Sequence, residues 1–378
     1  MKYWPTIFAL ALLAGCARFQ PEPISAEKSA ASFDARSLTN EDLRAFLETN
    51  QVAGEWRNRR WDLNALTYVA FYYQPSLAET RAQLASVRAA EITAGQRPNP
   101  SLTATPTYDT SSSPPWIPGV SFDVPIETAG KRSKRIAQAV FATEAAKWNF
   151  VATEWEVRSK VRAALLNLRV AGETESLLAR AETAQSNVLR LLQGQLSAGA
   201  ISSFEVTQAR VAAETTQLAR RDAIGQLRQG RVQLAGVLGL PSSALEGIDF
   251  DYGALEELPL SLTAPEIRRE AVLHRADIRS ALAGYAVARE KSAIAKTMLE
   301  DLHKQLDSVR AQAQLGEADA LALANAEVSY DTGAQNELEA LAKAQEALGT
   351  LEDAVQSPFT FSMNAVRSAP GRLPETKK

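Results

Sequence analysis

A single cysteine, Cys16, occurs in the 378 residues, so no disulfide can form within the chain. Histidine occurs twice, at His274 and His303, with no cysteine or second histidine at ligand spacing. That argues against a metal centre. No glycine-rich phosphate loop and no Gly-x-Ser-x-Gly elbow is present. The chain is therefore not read as an enzyme, and no catalytic residue, metal site or cofactor is assigned. The 41 Lys and Arg nearly balance the 44 Asp and Glu, for a net charge of −3. Such a balance gives no electrostatic footprint for nucleic acid. Aromatic residues are sparse, at 7%. Proline is absent between Pro125 and Pro241.

That proline-free stretch organises the chain. From Lys131 to Ala198 it is dominated by Ala, Leu, Glu, Arg and Gln, all strong helix formers. Val157, Val161, Ala164, Leu165 and Leu168, then Leu177, Ala181, Ala184, Val188 and Leu191, recur at three and four. This is a narrow apolar seam of coiled-coil type. A helix of this length reaches roughly 100 Å and needs another long helix to lie against. Gly199 can cap it, and Ser202 with Glu205 forms a capping box for a returning helix from Phe204 to Leu238. The spacing predicts an antiparallel helical hairpin with a tight tip at Gly194–Ser203.

At the start of the chain, Ile7 to Leu13 is an apolar run too short to span a membrane as a helix. With Leu13-Ala14-Gly15-Cys16 directly after it, residues 1–15 read as a signal peptide. These four residues resemble the lipobox of bacterial lipoproteins, which implies cleavage before Cys16 and acylation of its thiol and new amino terminus. More than one acyl chain gives stable anchoring. Ala17, by the same resemblance, implies sorting to the outer membrane. Residues 16–60 read as a polar arm with one short helix from Asn40 through Leu47, and with Trp56 and Trp61 as anchors. A helix over 62–95 is expected to break near Pro75.

Residues 101–128 alternate apolar with polar in two runs. Leu102, Ala104, Pro106 and Tyr108 make one; Trp116, Val120, Phe122, Val124 and Ile126 make the other. Period two with a Ser/Pro loop between the runs predicts a β-hairpin. Its apolar residues Trp116, Val120, Phe122 and Val124 share one face, and each run is about the length that spans a bilayer as a tilted strand.

Together these features resemble the TolC-type outer-membrane efflux proteins, with the look of the lipoprotein branch that serves heavy-metal exporters. The carrying residues are Asn99–Leu102 before the first strand, Phe122-Asp123-Val124-Pro125-Ile126-Glu127-Thr128-Ala129-Gly130-Lys131-Arg132 at the strand-to-helix junction, and Gly199-Ala200-Ile201-Ser202 at the tip. The resemblance covers residues 61–241. It implies a mainly α fold of long antiparallel coiled-coil helices, an α-barrel, with the hairpin contributing to an oligomeric transmembrane β-barrel in which Trp116, Val120, Phe122 and Val124 face lipid. It further implies a homotrimer in the lipid bilayer of the bacterial outer membrane, extending into the periplasm. The tips Gly199, Ala200, Ile201, Ser202 and Gly316 would dock a periplasmic adaptor and an inner-membrane pump. The function so implied is a passive efflux conduit for small solutes or metal ions. A non-conducting, lipid-anchored periplasmic coiled-coil protein is the alternative.

An internal repeat fits this architecture. An offset of 201 superposes Ala70, Ala82, Ala85, Arg88 and Ala94 on Ala271, Ala283, Ala286, Arg289 and Ala295. An offset of 117 superposes Gly199, Ala209, Val211, Ala223, Leu234 and Pro241 on Gly316, Ala326, Val328, Ala340, Leu351 and Pro358. The offsets 201 and 117 differ by 84, so the second repeat (265–358) lacks 84 residues. Those residues correspond to the second β-hairpin and most of a second long helix. Three copies would then supply six strands, whereas the smallest outer-membrane barrels have eight. Residues 242–264 read as an acidic linker and 359–378 as a disordered tail.

Overall fold

The computed structural model describes residues 25–50, 60–108, 110, 111, 113, 115–259 and 276–356. Cys16, Trp56, His274 and the tail lie outside them. The described elements are α1 (Ala26–Asp34), α2 (Glu41–Thr49), α3 (Leu63–Tyr73), α4 (Pro75–Ala94), β1 (Ser101–Tyr108), β2 (Trp116–Asp123), α5 (Lys131–Ser197), α6 (Ser203–Leu238), α7 (Ala276–Gln314) and α8 (Ala320–Val355). Two short 3-10 turns lie between α6 and α7.

Helix α5 is the spine, 67 residues long, or about 100 Å. It starts after Ala129 and Gly130, both with positive φ, and ends before Gly199 at φ 73°. Ser202 and Glu205 form the expected capping box on α6. The break between α3 and α4 falls at Gln74, which is extended, with Pro75 in the first turn of α4. There the missing N–H costs nothing.

Different helices cover different lengths of α5. Antiparallel α4 covers its first third: Arg135 Nε donates to the Ala94 carbonyl at 3.0 Å, and Thr80 lies beside Thr153. From Trp155 onward α5 is sandwiched. On one side α6 returns along it, with Gly230 against Leu168. On another side runs antiparallel α8: Trp155 Nε1 donates to Asp353 Oδ1 at 3.0 Å, and Val188 meets Ala324 toward the tip. Helix α7 lies chiefly against α8, with Tyr285 against Leu348 and Leu299 near Leu338. Four helices in the order α6, α5, α8, α7 thus make one layer toward the tips, and two helices, α4 and α5, continue to the hairpin.

The internal repeat takes an unexpected course here. Residues 276–295, which match part of α4 in sequence, run toward the tip, whereas α4 runs toward the hairpin. Their fusion to the next stretch makes α7 one helix of 39 residues. The second pair, α7 and α8, therefore forms a tip hairpin of its own.

The waist holds the main core. Leu63, Leu66, Leu77, Val161, Leu165, Leu234 and Leu238 meet there. Part of the polar arm packs on the fold. Leu38, Leu43 and Leu47 are buried in this core, and Arg36 Nη1 donates to the carbonyls of Gly239 at 2.8 Å and Tyr73 at 3.1 Å. The Leu43/Leu47 pair on a helix capped by Asn40 explains the docking. The acidic linker also packs. Leu245, Phe250 and Leu255 are buried while Glu246, Asp249, Asp251, Glu256 and Glu257 face outward.

Candidate channel-forming and docking surfaces

Strands β1 and β2 pair antiparallel, Ser101 with Asp123 through to Tyr108 with Trp116. Alternation sends Leu102, Ala104, Pro106 and Tyr108 to the same face as Trp116, Pro118, Val120 and Phe122. The other face carries Ser101, Thr103, Thr105 and Thr107 with Ile117, Gly119, Ser121 and Asp123. One face is wholly apolar and the other largely polar, yet both are exposed. A two-stranded ribbon with a bare apolar face is at best marginal in water. Gly119 is required, because a Cβ there would lie 2.6 Å from Thr105 Oγ1. Of the residues expected to face lipid, Trp116, Val120 and Phe122 lie on the apolar face of β2. Val124 is a correction of boundary: the paired strand ends at Asp123, and Val124 and Ile126 follow in unpaired, exposed chain.

Below the ribbon, the Gly130-Lys131-Arg132 junction has a structural purpose. Arg132 Nε donates to the Gly95 carbonyl at 2.9 Å, and Arg135 donates to the carbonyls of Ala94 and Gln96. Two guanidinium groups thereby satisfy the last carbonyls of α4, where its dipole is negative. Arg135 also pairs with Glu127, whose carboxyl it holds below its ordinary range. The two ends of the hairpin are clamped to each other through this cluster.

Far from the ribbon, two tips lie side by side. Gly199 (φ 73°) and Gly316 (φ 78°) both take left-handed backbone, which favours glycine. Ala200 and Ser202 are exposed, Ile201 half-buried, and Asp319 caps α8 by accepting from the Ala322 N–H at 2.7 Å.

The layer of four helices is open at both edges, a feature the sequence reading did not resolve. On α6, Phe204, Val211, Leu218 and Val232 are exposed at intervals of seven or fourteen. On α7, Val287, Ile294 and Met298 are exposed at intervals of seven and four. The spacing of Val211 and Leu218 is visible in sequence, but a heptad alone does not say whether its partner lies in the same chain. Among the described residues, no group of three or more His, Cys, Asp or Glu is placed to hold a metal ion. None of the described helices is long and apolar enough to cross a membrane.

A buried polar lock joins α5 to α8 at the waist. Arg158 Nη1 lies 3.2 Å from Glu352 Oε2, and Arg162 donates to the Gln345 side chain at 2.8 Å and to its carbonyl at 2.9 Å. Burial lowers the Arg162 pKa, and the nearby Glu352 opposes that. Where α3, α4 and α5 meet, burial pushes the Glu154 carboxyl up to about 7, against the pull of Arg81.

A spine helix with a ribbon at one end and paired tips at the other defines the subunit fold of the TolC-type channels. Residues 69–240 match the family model described as outer membrane efflux protein. The resemblance read from the sequence is thus shown over that segment. The cobalt-zinc-cadmium resistance protein CzcC of Cupriavidus metallidurans is 28% identical over 145 residues, 38% of this chain and 34% of CzcC. The match therefore spans about a third of that relative's length. Among solved structures, the outer membrane protein VceC of Vibrio cholerae superposes with a TM-score of 0.60 at 15% identity, covering 79% of this chain and 96% of VceC. The open-state outer membrane channel MtrE of Neisseria gonorrhoeae gives 0.58 at 15% identity, covering 79% and 89%. At such identities these two establish the fold.

Proposed function

We propose that this chain is the outer-membrane component of a tripartite efflux system, a passive conduit for metal ions or other small solutes. The observation that carries the reading is the ribbon. Its apolar face is bare, and it sits about 100 Å along α5 from two glycine tips. Ribbons from several copies would close a barrel in the outer membrane, with Trp116, Val120 and Phe122 toward lipid. The exposed stripes on α6 and α7 would pair between neighbouring copies, a head-to-tail contact that closes a ring. In a trimer, the tip layer supplies twelve helices. Gly199–Ser202 and Gly316 would meet a periplasmic adaptor and its inner-membrane pump, and Cys16 would carry the lipid anchor. The metal-ion class rests on what the name of CzcC says of that protein.

One observation favours the second reading, a non-conducting lipid-anchored partner. The described residues of each copy offer two strands, so a trimer of them falls short of the smallest outer-membrane barrels. Single-cysteine variants at Trp116, Val120 and Phe122, labelled in intact outer membranes, decide between them. The conduit predicts reaction with apolar but not with water-soluble maleimides. Equal reaction with both contradicts a lipid-facing ribbon.

A further inference from the structure

The face of α5 that α8 covers from Trp155 to the tip does not end at Trp155. It continues toward the ribbon as Val140, Phe141, Trp148 and Val151, which lie within an arc of about 100° on the helix. All four are exposed, Phe141 at 73% and Trp148 at 72%. Among the described residues the cover stops where α8 ends at Val355, beside Trp155.

On the other side of the same pair, α4 carries an exposed line of small residues, Ala78, Ala82, Ala85 and Ala89, ending at Ile92. One helix therefore offers bulky side chains and its neighbour offers a shallow channel. On each helix the stripe sits roughly 140° around from the face turned to the other helix. Both turns open toward the same side of the pair, as closure into a ring requires.

We infer that, in the membrane-proximal half, the Phe141/Trp148 stripe of α5 docks on the alanine stripe of α4 in the next copy of this chain. The inference rests on the ring reading above and adds a contact between α5 and the neighbouring α4. Lipid is a poor cover, because Trp148 lies 17 residues into α5, about 25 Å from the ribbon's base. The register follows from the pair itself. Thr80 lies level with Thr153, and Ala94 with Arg135. Copies related by rotation about an axis along the helices keep their heights. Trp148 therefore meets Ala85 of the next copy, and Phe141 meets the Ala89–Ile92 end. The consequence is a taper, from four helices per copy at the tips to two beneath the membrane.

The test is oxidative cross-linking of the full-length protein in outer membranes. The pair Trp148→Cys with Ala85→Cys is compared with Trp148→Cys with Ala78→Cys, which is two turns out of register. A third pair, Leu218→Cys with Gln305→Cys, which lie level at the two edges of the four-helix layer, reports on the tip ring. Single variants set the background, including any contribution of Cys16. Disulfides need Cα atoms roughly 4.4–6.8 Å apart, so the expected result is dimers and higher bands from the first and third pairs, at least fivefold above the second. Cross-linking of the third pair alone overturns this inference and leaves the ring standing. Failure of both the first and third pairs overturns the ring as well. Labelling of the Trp148→Cys single variant by a bilayer-confined reagent assigns the stripe to lipid and also overturns it. So does shielding of that cysteine in a chain that stays monomeric, which assigns the stripe to residues 357–378.

Discussion

The two parts of α5 have similar composition and different surroundings. From Trp155 to the tip the helix is covered on two sides, and Val157, Val161, Leu165 and Leu168 are buried. Among the described residues, from Lys131 to Glu154 it is covered on one side only, and Phe141 and Trp148 stand exposed. The end of α8 does not end α5. Strong helix formers and the clamp by Arg132 and Arg135 sustain it, while its apolar stripe runs on without a cover among the described residues. The difference teaches that a long helix can extend beyond the neighbour that covers its apolar stripe.

Breaking the covered part has the largest expected effect. Glu352→Ala strips the buried partner from Arg158 and weakens the hold on Arg162. It should cost about 3–5 kcal/mol in denaturant unfolding, because it strands buried charge. Leu165→Ala, at a fully buried position, should cost about 2–5 kcal/mol. Phe141→Ala on the bare part sharpens the contrast. It should change the unfolding of dispersed monomers by no more than about 0.5 kcal/mol while lowering the yield of oligomers.

The boundary between the parts titrates. Burial holds the Glu154 carboxyl at about 7 when folded, above the ordinary 4.5. A carboxyl raised on folding contributes its stability fully below the unfolded value and loses it as pH rises through the folded one. Glu154→Gln should therefore raise the Tm relative to the unmodified chain by more at pH 8 than at pH 5, in thermal melts at both. The most local effect belongs to the tip. Gly199→Ala forces a side chain into left-handed backbone with open space around it. It should cost about 1 kcal/mol, seen as faster hydrogen exchange confined to the ends of α5 and α6.

Much of this was legible from residues. The start and end of α5, the capping box at Ser202, the break at Pro75 and the ribbon all follow from local chemistry. Local rules also suggested an internal repeat. They could not say that residues 276–295, matched to part of α4, would run toward the tip. Direction is set by which tertiary partner a helix finds, here α8, and an amphipathic helix reads the same either way. The docking of Leu38, Leu43 and Leu47 was obscured by polar neighbours. The spacing of Val211 and Leu218 was visible, but the lack of a partner for the edge stripes among the described residues is a property of the fold.

The most direct test of the central claim, that copies of this chain close a ring, is the native mass of the protein extracted from outer membranes in mild detergent. The account predicts one defined ring, a trimer, in which the tip helices are fully partnered. A monodisperse monomer would contradict it.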